Sequence, residues 1–265
     1  MTTFGFLPVY LLVGVIAGLC AGLFGVGGGL IVVPALAYIF VLLDVTSTSL
    51  MQLAVGTSLA VIIVTSLSSV IAHHRHGAVQ WNLAGRIAPF IAAGALAGAF
   101  VASRVPSAQL KIIFAVVEII IALQMYLEFK PKPARTLPGT PKLGVISGAI
   151  GLVSAVVGIG GGTMMVPYLT WCNVEIHKAV ATSAACGVPI ALAGSLGFIV
   201  LVPPAVDLPD NAIGFIYWPA FLGIAVATVL AAPLGAKLAH RLSTRHLRRI
   251  FAIFLGLIGL SMLFI

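Results

Sequence analysis

The chain has 265 residues, of which 61% are hydrophobic and 8% charged, against roughly 45–50% and 25% in a soluble globular protein, so a soluble domain is excluded and most of the chain belongs in lipid. The formal charge of +8 comes from bases scattered between apolar runs, which assigns them to membrane orientation and excludes nucleic acid as a partner. Cys20, Cys172 and Cys186 lack metal-ligand spacing and do not make a disulfide framework; no metal and no cofactor is expected.

Residues 1–6 carry no base before the first apolar run, so they lack the basic n-region of a cleaved signal and read as a lead-in to a membrane segment. Apolar stretches then follow at 7–24, 29–43, 50–72, 81–102 and 109–127. The polar linker 128–141, rich in proline, precludes a continuous helix. Further stretches run at 143–157, 163–172, 178–201, 212–238 and 247–265. The expected fold is an all-α polytopic membrane protein: a first membrane repeat over 1–127, a cytoplasmic linker over 128–141 and a second repeat over 142–265.

The two halves match in order. Gly25-Val26-Gly27-Gly28-Gly29 leads to Pro34, as Gly158-Ile159-Gly160-Gly161-Gly162 leads to Pro167. Thr57-Ser58 answers Thr182-Ser183, Pro89 answers Pro219, and Gly98-Ala99, Arg104 and Phe114 answer Gly235-Ala236, Arg241 and Phe251. Paired polar positions are not hydropathy artefacts, so a duplication is expected. The stretches 143–157 and 163–172 are shorter than the roughly 20 residues of a full crossing. Each half therefore opens with Gly-broken helices, re-entrant or discontinuous, and the repeats have inverted topology with about five segments each. Threaded this way, Arg75, the linker bases, Lys142, Lys178 and the bases of 237–249 share one side, while Arg104 and Lys111 fall opposite with Asp44, Asp207 and Asp210. The positive-inside rule makes the basic side cytoplasmic and places both termini outside the cytoplasm, in a multi-pass protein of the cell membrane.

These residues resemble the TauE/SafE family of sulfite and organosulfonate exporters. Its two weakly similar halves each open on a G-x-G-G-G…P segment and continue to a Thr-Ser-containing helix. The resemblance covers nearly the whole chain and implies a membrane transporter for a sulfur-containing anion such as sulfite, thiosulfate or an organosulfonate, moved outward.

Irregular backbone at membrane depth is tolerated only where protein or a wet cavity surrounds it. Glycine-rich breaks at matching places in two halves are accordingly the sequence pointer to a transporter's site. Candidate substrate-binding residues are Gly25, Gly27, Gly28 and Gly29 with Gly158, Gly160, Gly161 and Gly162. Half-helices starting after each run would turn free N–H groups and a positive dipole end toward an anion; the bland alternative is close helix packing. Thr57, Ser58, Thr182 and Ser183 can donate hydroxyl protons to an oxyanion or bond to backbone and neighbouring helices. Glu118, mid-way along an apolar stretch, is the candidate for proton coupling or gating; its alternative is a protonated carboxyl bonding a neighbouring helix. Leu255 stands at its place in the second half. Arg86 is read as snorkelling to the interface, Trp81 and Trp218 as interfacial aromatics, and His73 to His76 as a loop.

No Walker-type motif provides a nucleotide engine, and no H-E-x-x-H, G-x-S-x-G or membrane aspartate pair supports an enzyme. The expected function is secondary transport of a small anion by alternating access, with an anion channel or a membrane-assembly subunit as the alternative. Expected partners are that anion and the lipid bilayer; a homodimer is left open.

Overall fold

The computed structural model describes residues 6–24, 27–44, 48–127, 136–204, 206–239 and 244–264, without the side chains of 24, 236–239 and 244–248. Gly25, residues 128–135 of the linker and Arg241 lie outside these. Among the described residues the order is α1 (Leu7–Phe24), α2 (Gly29–Leu42), α3 (Leu50–Arg75), α4 (Trp81–Arg104), α5 (Ser107–Tyr126), α6 (Thr140–Val157), α7 (Gly162–Trp171), α8 (Ile176–Val200), β1 (Ala212–Ile213), β2 (Ile216–Tyr217), α9 (Trp218–Ala239) and α10 (Thr244–Met262). Every expected apolar stretch thus contains a helix.

Three boundaries move. Helix α3 runs to Arg75, so His73 and His74 form its last turn rather than a loop. Helix α6 opens at Thr140, inside the stretch read as linker, because Pro141 sits in its first turn where a missing N–H costs nothing. The apolar run from 212 opens on an antiparallel hairpin, Ala212 opposite Tyr217 and Ile213 opposite Ile216, before α9 begins.

Among the described residues six helices, α3, α4, α5, α6, α8 and α9, are long and apolar enough to cross a membrane, and the protein is a multi-pass membrane protein. Helices α2 and α7 are different in kind. At 14 and 10 residues they reach about 21 and 15 Å, short of a hydrocarbon core of about 30 Å. Each carries its proline at the sixth position, Pro34 and Pro167, which removes the N–H that would bond the carbonyl one turn back.

Glycines make the lateral contacts, as expected where lipid provides no hydrophobic drive between helices. Helix α1 runs alongside α9: a Cβ at Gly14 would lie 2.6 Å from the Ile224 oxygen and one at Gly18 2.7 Å from the Thr228 oxygen, while Gly235 abuts Leu19. Helix α4 runs alongside α6 in the same manner, Gly94 against the Gly148 carbonyl and Gly98 against Leu152. In both pairs the residue numbers rise together, so these helices are parallel. Two further pairings run the other way. Gly56, Leu59 and Ser66 of α3 meet Phe198, Gly194 and Gly187 of α8, and Ile119 and Ala122 of α5 meet Gly259 and Gly256 of α10. Helices α3 and α8 form the most enclosed pair, and both glycine runs lie against them.

Candidate site at the paired glycine breaks

Helix α6 ends where Gly158 takes φ +73°, the left-handed conformation that stops a helix and that glycine adopts without a Cβ clash. Three residues later Gly161 caps α7. In the first half Gly27 takes φ +66° and Gly28 caps α2. The two breaks meet each other. A Cβ at Gly27 would sit 3.8 Å from the Gly160 Cα and one at Gly160 3.9 Å from the Gly27 Cα, while a Cβ at Gly29 would overlap the Gly158 carbonyl oxygen. A side chain is shut out at Gly29 by that overlap and at Gly27 and Gly158 by their left-handed φ.

Helices α3 and α8 line the breaks. Ser58 donates its hydroxyl to the Gly158 carbonyl at 2.9 Å, Ser183 to the Gly161 carbonyl at 3.2 Å, and Thr163 to the Gly160 carbonyl at 3.3 Å. The Gly161 carbonyl also accepts the Met165 N–H at 2.9 Å, and the serine and threonine hydroxyls add a partner to carbonyls that lipid would leave unsolvated. Neither Gly28 at the head of α2 nor Gly161 at the head of α7 has a side-chain cap. The hydroxyls therefore occupy acceptors of the second break, the Gly29 N–H is taken by the Gly27 carbonyl, and both helix starts carry the positive dipole end. Thr57 and Thr182 do something else: each accepts a backbone N–H, from Tyr217 at 2.9 Å and from Gln80 at 3.1 Å. Thr57, Ser58, Thr182 and Ser183 are fully buried. Beside the first break a cavity of about 10 Å³, space for a single water, is lined by Cys20, Gly27, Gly28, Ile31 and Phe251.

The whole-chain pattern is matched elsewhere. Residues 10–262 fit the family described as sulfite exporter TauE/SafE. The chain belongs to the TauE/SafE family. A probable membrane transporter protein of Haemophilus influenzae is 37% identical over 261 residues, 98% of either chain. One of Methanocaldococcus jannaschii is 30% identical over 267 residues, 97% of this chain and 95% of its own, and YunE of Bacillus subtilis, named likewise, is 28% identical over 278 residues, 97% of each. No solved structure matches the chain.

Of the residues singled out in this TauE/SafE sequence, Gly27 to Gly29, Gly158, Gly160 and Gly161 converge with Ser58 and Ser183; Gly162 begins α7, and Gly25 lies outside the described residues. Glu118 stands apart on α5. It is fully buried, and neither carboxyl oxygen has a hydrogen-bond partner among the described residues. Leu255 is equally buried on α10, so the halves share the slot and differ in its content. Arg86 is exposed and donates to Thr140 at 3.2 Å, at the start of α6, as a side chain reaching the interface does. Trp81 and Trp218 are both exposed. No cluster of three or more metal-ligating side chains occurs among the described residues.

Gln80 and Tyr217 were missed as partners of the threonines. Their contribution is a backbone N–H, which leaves no trace in side-chain type. The glycines before them, Gly77 at φ +65° and Gly214 at φ +57°, are the signal that was available.

Proposed function

We propose that this membrane transporter moves a small sulfur-containing oxyanion, such as sulfite, thiosulfate or an organosulfonate, by alternating access of two inverted repeats around the paired glycine breaks. The observation that carries the reading is the meeting of Gly27 with Gly160. Two short helices start there without side-chain caps, and the neighbouring serine protons are already spent on carbonyls. That leaves backbone N–H donors and no fixed positive charge, which suits an anion that must also leave.

Inverted topology is supported by helix direction. In the second half α8 takes the place of α3, and α10 that of α5. Each such pair packs antiparallel, the relation expected of repeats turned about an axis in the membrane plane. With Arg75, Lys142 and Lys178 on the cytoplasmic side, both termini lie outside the cytoplasm.

Glu118 is the proton-coupling group in this account. Helix α5 packs on α3, α6 and α10. The ionisable groups of those helices that the structure describes, His73 to Arg75, Lys142 and Arg249, all lie at helix ends. A carboxyl alone at mid-membrane is neutral when it has no partner and ionises only when water or a counter-charge reaches it.

Purified protein in liposomes tests the reading: uptake of sulfite, thiosulfate and sulfoacetate is followed by counterflow, with and without an imposed pH gradient. Saturable uptake of at least one of these, accelerated by the gradient in the unmodified protein and not in Glu118→Gln, is the expected result. Flux that does not saturate would make the protein a channel, and no flux of any anion would leave an assembly role.

A further inference from the structure

Two loops at opposite ends of the α3–α8 pair share a backbone plan that their side chains conceal. Gly77-Ala78-Val79-Gln80 leads into α4 at Trp81, and Gly214-Phe215-Ile216-Tyr217 leads into α9 at Trp218. Both open on a left-handed glycine, and both end with an N–H donated to a threonine hydroxyl in the other half. Because α3 and α8 are antiparallel, Thr57 lies near the end where α8 finishes and Thr182 near the end where α8 starts. Along α3, with Gly56 level with Phe198 and Ser66 with Gly187, the two threonines are about 21 Å apart; Gly29 and Gly160 lie between them against Ile62 and Gly161 against Ile190, while Gly158 packs on Val55 at the Thr57 end. Each loop therefore covers the breaks from one face.

The geometry points to Thr57 and Thr182 as a pair of gate latches, each hydroxyl holding the loop that closes one face, with release of one N–H at a time opening the breaks to alternate sides. This inference rests on the alternating-access reading above. In the structure both latches are made and both reporter positions beneath them are buried, which is the occluded state of such a cycle. The threonines are positioning residues: they act through the loops, and the anion contacts the glycine backbone.

The seals differ in weight. Over Thr57, Phe215 is 1% exposed, its ring 6.0 Å from that of Phe198 and its N–H bonded to the Phe198 carbonyl at 2.8 Å; Tyr217 meets Phe40 edge to face at 5.4 Å. Over Thr182 the seal is Val79, packed with Val70, Ala84, Ala181 and Ala185. The Thr182 latch therefore opens more readily.

Cys186 and Val61, one helical turn inside Thr182 and Thr57 respectively and each 1% exposed, are the reporters. The full chain in sealed vesicles of known orientation, with Cys20 and Cys172 replaced, is labelled from either face with a membrane-impermeant maleimide. One set keeps Cys186; the other carries Cys186→Ala with Val61→Cys. Thr182→Val is expected to raise Cys186 labelling about five- to tenfold from the face of residues 77–80 alone, and Thr57→Val to raise labelling at position 61 from the face of residues 212–217 alone, as loss of one hydrogen bond allows. Thr57→Ser and Thr182→Ser, which keep the hydroxyl, should restore the unmodified rates. Equal rises from both faces, or unchanged labelling in folded valine variants, would overturn the latches. Saturable anion counterflow is measured in the same vesicles. Unchanged labelling with flux intact removes the latches and leaves the transport reading; face-specific labelling without any flux does the reverse.

Discussion

The face closed by residues 212–217 and the face closed by residues 77–80 use the same parts: a left-handed glycine, two residues turned inward, and an N–H held by a threonine of the opposite half. What differs is the filling, and the helix beneath has been adjusted to match. Under the hairpin α3 carries Gly56, where a Cβ would overlap the Phe215 carbonyl oxygen; at the matching place α8 carries Ala181, beneath a loop whose corresponding residue is Ala78. A glycine on one side thus accommodates a bulky plug, and an alanine on the other accompanies a small one. The two loops thus share a backbone plan and differ in bulk, which in the proposed cycle makes the two gates unequal in strength.

Truncating the seals should separate them most. Phe215→Ala empties a site that is 1% exposed and is expected to cost about 3–5 kcal/mol, whereas Val79→Ala removes less and should cost about 1–2 kcal/mol, both read as a fall in the midpoint of thermal unfolding in detergent. Equal losses would mean that the aromatic plug carries no more of the fold than the aliphatic one. Next in size is Gly56→Ala, which forces the hairpin backbone outward at about 1–3 kcal/mol. It should expose position 61 while leaving Cys186 protected, and protection of both would show that the hairpin does not rest on Gly56. Smallest are Ser58→Ala and Ser183→Ala, each leaving a carbonyl of the second glycine break without its hydroxyl partner, at about 1 kcal/mol apiece by the same unfolding measurement. A serine variant that falls as far as Phe215→Ala would place the stability of the fold at the breaks rather than at the seals.

Much of this was legible before any coordinates. Hydropathy located the ten helices of the described residues to within a few residues, apart from the start of α9, because a crossing must be apolar along its length. The glycine runs and the serines of the Thr-Ser dipeptides marked residues that converge, since small and hydroxylated residues at matching places in two halves have few other reasons to recur. The loops before α4 and α9 escaped because Ala-Val-Gln and Phe-Ile-Tyr share no side-chain chemistry, and the plan they hold in common is carried by φ and by N–H groups. The hairpin at 212–217 was hidden inside an apolar run, where a buried plug and a helix look alike. Pro89 and Pro219, aligned as equivalents, fall at different turns, the ninth residue of α4 and the second of α9. The serines were read as donors either to an anion or to backbone and neighbouring helices; that their acceptors are glycine carbonyls of the break depends on how the chain breaks, which spacing alone does not fix.

The central claim is that an oxyanion sits where the two glycine breaks meet, and Gly160→Ala tests it with the least collateral change. The added methyl would lie 3.7 Å from Ile62 Cγ2 and 3.9 Å from the Gly27 Cα, ordinary contact distances, so the variant should fold while its methyl occupies the approach to the backbone donors. Thermal unfolding of both proteins is measured with sulfite, thiosulfate and sulfoacetate, using chloride as control. At about a hundred times its dissociation constant a bound anion stabilises by about 2.7 kcal/mol, a rise in unfolding temperature of a few degrees. The account predicts that at least one sulfur oxyanion produces this rise in the unmodified protein and not in Gly160→Ala. An equal rise in both would contradict it and move the site away from the glycine breaks.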